Sequence, residues 1–224
     1  MIAQNIAQIQ AAIRAACIDA GRPADSVRLL AASKTQPAEI VREALDAGQT
    51  LLGENRAQSL RDKAPLLAAH SPPPQWHFIG RLQKNKVKYV VPWATLIHTV
   101  DSLALAQEIA KRASRPIGVL IQVNTGDDPA KGGVCTDDAL ALCQQVHELP
   151  GVELRGLMTM PPITSDPAAA APFFRTLSDI AAQGRDRGLP TDELSMGMTA
   201  DFPVAIANGA TIIRVGTAIF GARG

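Results

Sequence analysis

The sequence has few of the features that mark secreted, metal-binding or membrane proteins. Its 224 residues contain three cysteines, Cys17, Cys135 and Cys143. Three is an odd number, and their spacing matches no metal site, which indicates reduced thiols in a cytosolic protein. No run of about 18 apolar residues offers a membrane span. Residues 1–10 have neither a basic segment nor a long apolar run, so we expect no signal peptide.

The charge balance excludes further classes of protein. A net charge of +1 gives the chain no overall attraction to nucleic acid or anionic lipid. Arg81, Lys84, Lys86 and Lys88 lie close together and are a possible nucleic-acid site. We favour a solvated helix face, because several aromatic residues are not interleaved with them. The sole tyrosine, Tyr89, lies in the same predicted helix and is interpreted as a packing residue.

Short apolar segments alternate with helical segments along the whole chain. The predicted strands cover residues 27–32, 50–52, 76–79, 96–100, 117–123, 154–158, 193–195 and 211–215. Helices are predicted at residues 2–21, 37–48, 57–67, 84–90, 103–113, 137–149, 168–187 and 202–208. This alternation predicts an α/β protein with a single (β/α)8 TIM barrel and an extra N-terminal helix; a doubly wound open sheet is the alternative. No linker divides residues 1–224, so we expect one domain.

Lys34 ends the first predicted strand, in the segment Ala32-Ser33-Lys34-Thr35. A lysine at the end of a buried strand has its amine near apolar walls. Desolvation there favours the neutral amine, which can attack an aldehyde. The alternative is an ordinary lysine whose charged end reaches water. Segments near the other end of the chain favour the first interpretation.

Two segments near that end have the composition of an anion site. We call residues 195–198 and 214–221 the phosphate loops, because the loops after strands seven and eight of such barrels frequently bind phosphate. Gly197 and Gly216 permit close approach of the backbone, and Ser195 and Thr217 add hydroxyl donors. Either loop alone has a structural explanation, but together they predict a phosphate site.

Arg214 shares strand parity with Ile212 and Gly216, which predicts that all three point into the barrel. A buried arginine needs a partner, either a salt bridge or an acceptor such as a ring nitrogen. A strand-end amine, a phosphate site and an inward arginine together match one ligand, pyridoxal 5′-phosphate (PLP). In this hypothesis Lys34 forms a covalent aldimine with the aldehyde, and Arg214 meets the pyridine nitrogen.

Six segments then carry a resemblance to a known family. They are Ala32-Ser33-Lys34-Thr35, Gly53-Glu54-Asn55-Arg56, Trp76-His77-Phe78-Ile79-Gly80 with Leu82-Gln83 and Asn85-Lys86, Arg155-Gly156-Leu157-Met158, Leu194-Ser195-Met196-Gly197-Met198, and Arg214-Val215-Gly216-Thr217-Ala218-Ile219-Phe220-Gly221. In this order they resemble the YggS/PROSC-type pyridoxal phosphate homeostasis proteins. The resemblance implies a barrel similar to the N-terminal domain of alanine racemase, with PLP bound to a lysine.

The resemblance also implies the site residues. Lys34 matches the Schiff-base lysine of the family. The other positions on its cofactor-lining motifs are Asn55, His77, Ser195, Gly197, Arg214, Gly216 and Thr217. Residues 201–203 and 132–135 depart from the family pattern, which affects contacts at the rim. No metal ligand and no catalytic residue is predicted.

A PLP-dependent racemase needs an acid–base group on each face of the substrate carbon. Alanine racemase-like enzymes take one of these, a tyrosine, from a second domain. Only nine residues follow Val215, so we expect no second domain here. A guanidinium beside the pyridine nitrogen would also disfavour ring protonation and weaken the ring as an electron acceptor.

We therefore predict a cytoplasmic monomer that binds, buffers and delivers PLP, with PLP-dependent apoenzymes as recipients. Neither nucleic acid nor membrane is an expected partner, and no dedicated catalytic activity is expected. A minimal PLP-dependent amino-acid racemase is the alternative. His70, His98 and His147 are interpreted as structural or surface residues. Lys131 is either a second amine at the rim or a solvated loop residue, and we favour the latter.

Overall fold

The computed structural model describes residues 1–162 and 164–221; residues 222–224 of the predicted domain lie outside this range. The strands are β1 Arg28–Ala32, β2 Leu51–Glu54, β3 Gln75–Phe78, β4 Ala94–Val100, β5 Ile117–Gln122, β6 Val152–Met158, β7 Glu193–Ser195 and β8 Ile212–Val215. The helices are α1 Ile2–Asp19, α2 Ala38–Asp46, α3 Ala57–Leu67, α4 Val87–Val90, α5 Leu103–Arg112, α6 Ala139–His147, α7 Ala171–Asp186, α8 Phe202–Ala207 and α9 Thr217–Phe220. Short 3-10 turns cover Lys84–Lys86 and Pro167–Ala170.

The eight strands pair in parallel in chain order, and β8 pairs with β1. The sheet is therefore closed, whereas a doubly wound sheet would leave two free edges. Helices connect successive strands on the outside, as parallel crossovers require. The predicted (β/α)8 barrel with an extra N-terminal helix is confirmed, and the open-sheet alternative is wrong.

Strand parity separates two apolar layers. The lumen is filled by Leu30, Ala32, Leu51, Leu96, Leu120, Met158 and Ile212. Ile213 and Val215 belong instead to the larger layer between the barrel and its helices. Arg214 therefore points inward like Ile212, as predicted, and its residue is 5% exposed.

The strand pairing is uneven around the ring. β7 has three residues and pairs with β8 through one residue pair, Ser195–Ile212, whereas six pairs join β5 to β6. Three backbone hydrogen bonds extend the β7–β8 contact, and one of them joins the Arg214 N–H to the Gly197 carbonyl at 3.1 Å. Both phosphate loops therefore leave the barrel at its shortest strand-to-strand contact.

α1 packs against α8 and α9 and covers the outside of this contact. Its buried face is formed by Ile2, Ile6, Ile13 and Cys17, at the predicted helical spacing. The Asn5 side chain donates a hydrogen bond to the Ile219 carbonyl at 2.9 Å. The N-terminal helix thus fixes the second phosphate loop from behind.

Two elements differ from the predictions. Residues 84–90, predicted as one helix, form a 3-10 turn followed by the single turn α4. The helix α9 was not predicted, because four residues are too few to show a helical period. No helix in the described part of the chain is long and apolar enough to cross a membrane.

Candidate cofactor site

A cavity of about 440 Å³ opens at the carboxyl ends of the strands. In a (β/α)8 barrel this is the end where functional groups collect. Its lining residues are Ala32, Lys34, Asn55, Ile79, Gly80, Arg81, Met160, Met198, Thr199, Ala200, Arg214, Gly216 and Thr217. Five of the eight predicted site residues are among them, namely Lys34, Asn55, Arg214, Gly216 and Thr217. The other three, His77, Ser195 and Gly197, lie elsewhere.

Lys34 lies two residues beyond the end of β1, in a turn closed by the Gln36 N–H and the Ser33 carbonyl at 2.8 Å. Its φ of 35° is in the left-handed region, which residues other than glycine rarely adopt. Such conformations cost about 1–3 kcal/mol and collect at functional sites. The residue is exposed, so the expectation of apolar walls around its amine is wrong for the protein chain alone.

Arg214 is held by two uncharged acceptors. Its Nη1 donates to Ser195 Oγ at 2.6 Å and its Nη2 to the Thr159 carbonyl at 3.0 Å. Among the described residues no carboxylate forms an ion pair with it. Burial lowers the pKa of Arg214 to about 10, which leaves it charged at neutral pH. The negative charge of Asp201 acts on the guanidinium without forming an ion pair, and unused N–H groups remain beside the cavity.

Two buried histidines continue this network below the cavity. His98 Nδ1 lies 2.8 Å from Ser195 Oγ, and His98 Nε2 lies 2.9 Å from His77 Nδ1. Burial lowers the pKa of His77 to about 3 and that of His98 well below its ordinary value, so both rings are neutral. Because arginine only donates, Ser195 accepts from Arg214 and gives its own hydrogen to His98. The proton on His98 Nε2 then points to His77.

This network changes the roles of two predicted residues. Ser195 is fully buried, and its hydroxyl is hydrogen-bonded to Arg214 and His98 rather than facing the cavity. His77 is likewise buried beneath the lining, in contact with the His98 ring. Both residues orient Arg214 from below. The sequence carried a signal for this, because His98 has the same strand parity as the lumen residue Leu96.

Gly197 shapes the first phosphate loop without lining the cavity. Its φ of 91° is in the left-handed region, and a Cβ there would lie 2.6 Å from the Ala205 Cβ of α8. The turn brings Met198, Thr199 and Ala200 to the cavity. The Thr199 and Ala200 N–H groups donate to no acceptor within the described residues. These peptide donors, which the sequence analysis missed, are free for an anion.

The start of α8 holds this loop in place. Asp201 belongs to the segment that departs from the family pattern, and its Oδ1 accepts from the Met198 N–H at 2.6 Å. The bond folds the chain back over residues 198–201. An acidic residue directly before a helix with proline as its second residue was the available sequence signal for such a turn.

The second phosphate loop lies against the first strand. A Cβ at Gly216 would lie 3.0 Å from the Ala32 carbonyl, so a larger side chain would push β8 away from the Lys34 turn. Thr217 is exposed, lines the cavity and begins α9, where the first N–H groups have no intrahelical partner. This loop therefore offers hydroxyl and peptide donors, as predicted.

Asn55 lies at the end of β2 and lines the cavity. Its Oδ1 and Glu54 Oε2 are the two buried side-chain atoms without a hydrogen-bond partner in residues 1–162 and 164–221. Unpaired buried acceptors are rare in proteins and call for a partner. At Asn55 that partner can be a ligand. Gly80 permits the contact between the loops after β2 and β3, because a Cβ there would lie 2.0 Å from the Asn55 carbonyl.

Comparison with known proteins places the chain in a family. Residues 2–224 match the model of the N-terminal domain of alanine racemase. The pyridoxal phosphate homeostasis protein of Aquifex aeolicus (strain VF5) is 42% identical over 98% of this chain and 97% of its own. The chain belongs to the family of pyridoxal phosphate homeostasis proteins. The names of this relative and of two others describe a homeostasis protein rather than an enzyme.

Solved structures agree with this assignment. PipY of Synechococcus elongatus PCC7942 without PLP is 38% identical, with a TM-score of 0.89 over 99% of this chain and all of its own. The structure of PipY with PLP bound is 36% identical, with a TM-score of 0.85 over 99% of this chain and 100% of that chain. The barrel and the family resemblance are therefore both confirmed.

The basic residues at positions 81–88 divide into two groups. Arg81 is exposed, as a solvated residue would be, but it precedes the helical turn and lines the cavity. Lys86 and Lys88 instead lie 5.8 and 5.1 Å from the centroid of the Tyr89 ring. Tyr89 packs against the core outside the barrel, in agreement with its predicted packing role.

The remaining predictions concern residues away from the cavity. Lys131 is partly buried after β5, where its carbonyl accepts from Gln122 Nε2 at 2.9 Å. Its amine does not line the cavity. His70 bonds to Asp46 and to the Pro72 carbonyl near the surface, and His147 is exposed.

Proposed function

We propose that this protein binds PLP in the cavity at the carboxyl ends of the strands and acts in PLP homeostasis by holding and releasing the cofactor. The observation that carries the proposal is that one cavity is lined by Lys34, Arg214 and the second phosphate loop. A relative that is 36% identical over the whole barrel has been solved with PLP bound. PLP supplies an aldehyde, a phosphate and an electron-withdrawing ring.

The residues that line the cavity fit these chemical groups. The peptide N–H groups of Thr199 and Ala200, with Thr217, are donors for a phosphate. Arg214 provides a charge that no protein carboxylate within the described residues pairs with. Asn55 adds a polar side chain with an unpaired buried atom. Charge-assisted hydrogen bonds of this kind are roughly twice as strong as neutral ones, so the phosphate should dominate affinity.

Lys34 is the proposed covalent attachment point. The Lys34 amine would add to the aldehyde carbon, and loss of one water molecule would leave a carbon–nitrogen double bond. Addition of water would reverse the step and restore the amine and the aldehyde. Because the residue is exposed, water reaches the link freely, which suits a protein that releases its cofactor.

The other residues that line the cavity also support a carrier rather than an enzyme. Within the described residues the lining contains no tyrosine, histidine, cysteine or carboxylate. A racemase needs a second acid–base group opposite the lysine. Arg214 keeps a positive charge next to the proposed ring position, which disfavours a proton on the pyridine nitrogen. We therefore propose a carrier that delivers PLP to PLP-dependent apoenzymes. We also propose that residues 1–224 form one domain and that the protein is a cytoplasmic monomer.

The test is to trap the covalent link. Wild-type protein titrated with PLP should gain a near-ultraviolet or visible absorbance band, and borohydride reduction should fix PLP to Lys34 in peptide mapping. The Lys34→Ala variant should lose the band but keep weaker binding through the phosphate donors. Lys111→Ala, which removes an exposed lysine of α5, is the matched control and should behave like wild type. Labelling of another lysine with Lys34 left free would contradict the assignment.

A further inference from the structure

A buried ion pair lies directly behind the Lys34 turn. Lys63 of α3 pairs with Glu54 at the end of β2, and their residues are 6% and 0% exposed. Glu54 Oε1 also accepts from the Ser33 hydroxyl at 2.7 Å. Burial raises the pKa of Glu54, while Lys63 and Ser33 act in the opposite direction. Neither charged residue lines the cavity.

The same ion pair holds the backbone of the proposed attachment residue. Lys63 Nζ donates to the Lys34 carbonyl at 3.2 Å. No other side chain of the described residues forms a hydrogen bond to the backbone of residues 34–36. The other side of this turn borders an open groove of about 550 Å³ between α2 and α3. The turn is therefore exposed to solvent on both sides, and one side-chain hydrogen bond, from Lys63, holds its backbone.

Stability alone does not account for this arrangement. A buried ion pair is often no more stabilising than apolar residues of similar volume, because both charges lose their hydration. The Lys34 backbone is held in the left-handed region, which lysine disfavours. A tether to its carbonyl keeps the residue in that conformation and its amine on the cavity side.

We propose that Lys63, fixed by Glu54, is a positioning residue that presents the Lys34 amine for covalent capture of PLP. This inference rests on the proposed function. Lys63 touches neither the cavity nor the ligand groups, and acts through the Lys34 carbonyl. Its loss should weaken attachment through the aldehyde while leaving the phosphate donors unchanged.

The test compares two ligands that differ at the reacting group. Pyridoxamine 5′-phosphate has the same ring and phosphate as PLP but an amine in place of the aldehyde, so it cannot react with Lys34. The double variant Glu54→Gln/Lys63→Met removes both buried charges at once and leaves no unpaired charge. We expect PLP affinity to fall about tenfold, equivalent to 1.4 kcal/mol, with pyridoxamine 5′-phosphate affinity within about twofold of wild type.

Two further variants keep the result interpretable. Glu108→Gln/Arg112→Met removes a surface ion pair on α5 by matching changes, a carboxylate to an amide and a cation to methionine, and should leave both affinities unchanged. Ser33→Ala removes only the hydroxyl, which bonds to Glu54 and to the Gly53 carbonyl, so it should fold even if the double variant does not. It should lower PLP affinity in the same direction by a smaller factor.

Each outcome decides the question. An equal loss of affinity for both ligands, or a lower melting temperature with neither affinity changed, would show that the ion pair only supports the fold. With an unfolded double variant, unchanged PLP affinity in Ser33→Ala would equally overturn the inference. Wild-type protein that binds neither ligand would overturn the proposed function, and this inference with it.

Discussion

Arg214 has two roles that a single side chain can combine. Towards the lumen it donates to Ser195 and to the Thr159 carbonyl, and towards the cavity it presents the rest of its guanidinium. All groups it touches inside the protein are uncharged. Its positive charge is therefore available to a ligand, and its orientation depends on the neutral His77 and His98 rings below it.

Replacing Arg214 tests whether that charge suppresses chemistry at the ring. Arg214→Glu should favour a protonated pyridine nitrogen, so PLP-loaded variant protein should exchange the α-proton of added amino acids in heavy water. Arg214→Gln, which removes the charge without adding a carboxylate, is the matched control and should exchange less. Both lose a charged donor to Ser195, so stability should fall by about 1.5–3 kcal/mol and PLP content must be checked. If a PLP-loaded Arg214→Glu protein showed no exchange, the Arg214 charge would not be what suppresses chemistry at the ring. Its role would then be limited to its structural contacts.

At the scale of the element, the loop after β7 shows how a glycine determines a site that it does not line. Gly197 lies under α8, and its left-handed φ turns the chain so that residues 198–200 face the cavity. Asp201 then fixes the turn through the Met198 N–H. The phosphate donors proposed for this loop are therefore peptide groups, whose positions depend on backbone conformation rather than on side-chain identity.

A substitution at Gly197 should separate loop geometry from stability. Gly197→Ala places a Cβ 2.6 Å from the Ala205 Cβ and strains the backbone, so PLP affinity should fall at least about tenfold as charged hydrogen bonds are lost. Gly188→Ala is the matched control, because its φ is 77° but its Cβ would meet nothing within 4 Å. Gly188→Ala should lose about 1–2 kcal/mol in urea unfolding, and Gly197→Ala should lose more, because its Cβ also meets Ala205. Equal PLP titrations for the two variants would contradict this account.

Much of the fold could be predicted from the sequence because it depends on local periodicity. The helix predicted at residues 57–67 and the strand at residues 193–195 match α3 and β7, and strand parity alone directed Arg214 inward. The position of Lys34 at the cavity followed from its place at a strand end. The Ser195–His98–His77 network could not be predicted in this way, because it depends on which strands are neighbours across the barrel and on their register.

For the whole molecule, two buried histidines inside the closed barrel make the free energy of unfolding depend on pH. Both lumen histidines are neutral in the folded barrel. Above about pH 6.5 they are neutral in the unfolded chain as well, so they have no effect on stability there. As pH falls below this value, the unfolded chain binds protons that the folded barrel does not, until the folded pKa of about 3 at His77 is reached. Stability from this source is therefore lost on acidification.

The contribution of His77 to this pH dependence can be measured separately. Between about pH 6 and pH 4, each buried neutral histidine should cost about 1.4 kcal/mol of unfolding free energy per pH unit. His77→Gln keeps an acceptor for His98 and should reduce the slope of unfolding free energy against pH by about this amount. His147→Gln, which removes an exposed histidine, is the control and should leave the slope nearly unchanged. Urea midpoints measured across this range decide the matter, and equal slopes for wild type and His77→Gln would contradict the assignment.

The single residue pair between β7 and β8 has a consequence for how long the protein persists in a cell. This seam has the fewest paired strand residues in the ring, and both phosphate loops leave the barrel there. A ligand held by both loops bridges the seam and adds its binding free energy to the cost of opening. Empty molecules then open more often and are exposed to proteases, whereas filled molecules are protected. The abundance of the carrier would thus follow the supply of its cofactor without any separate control.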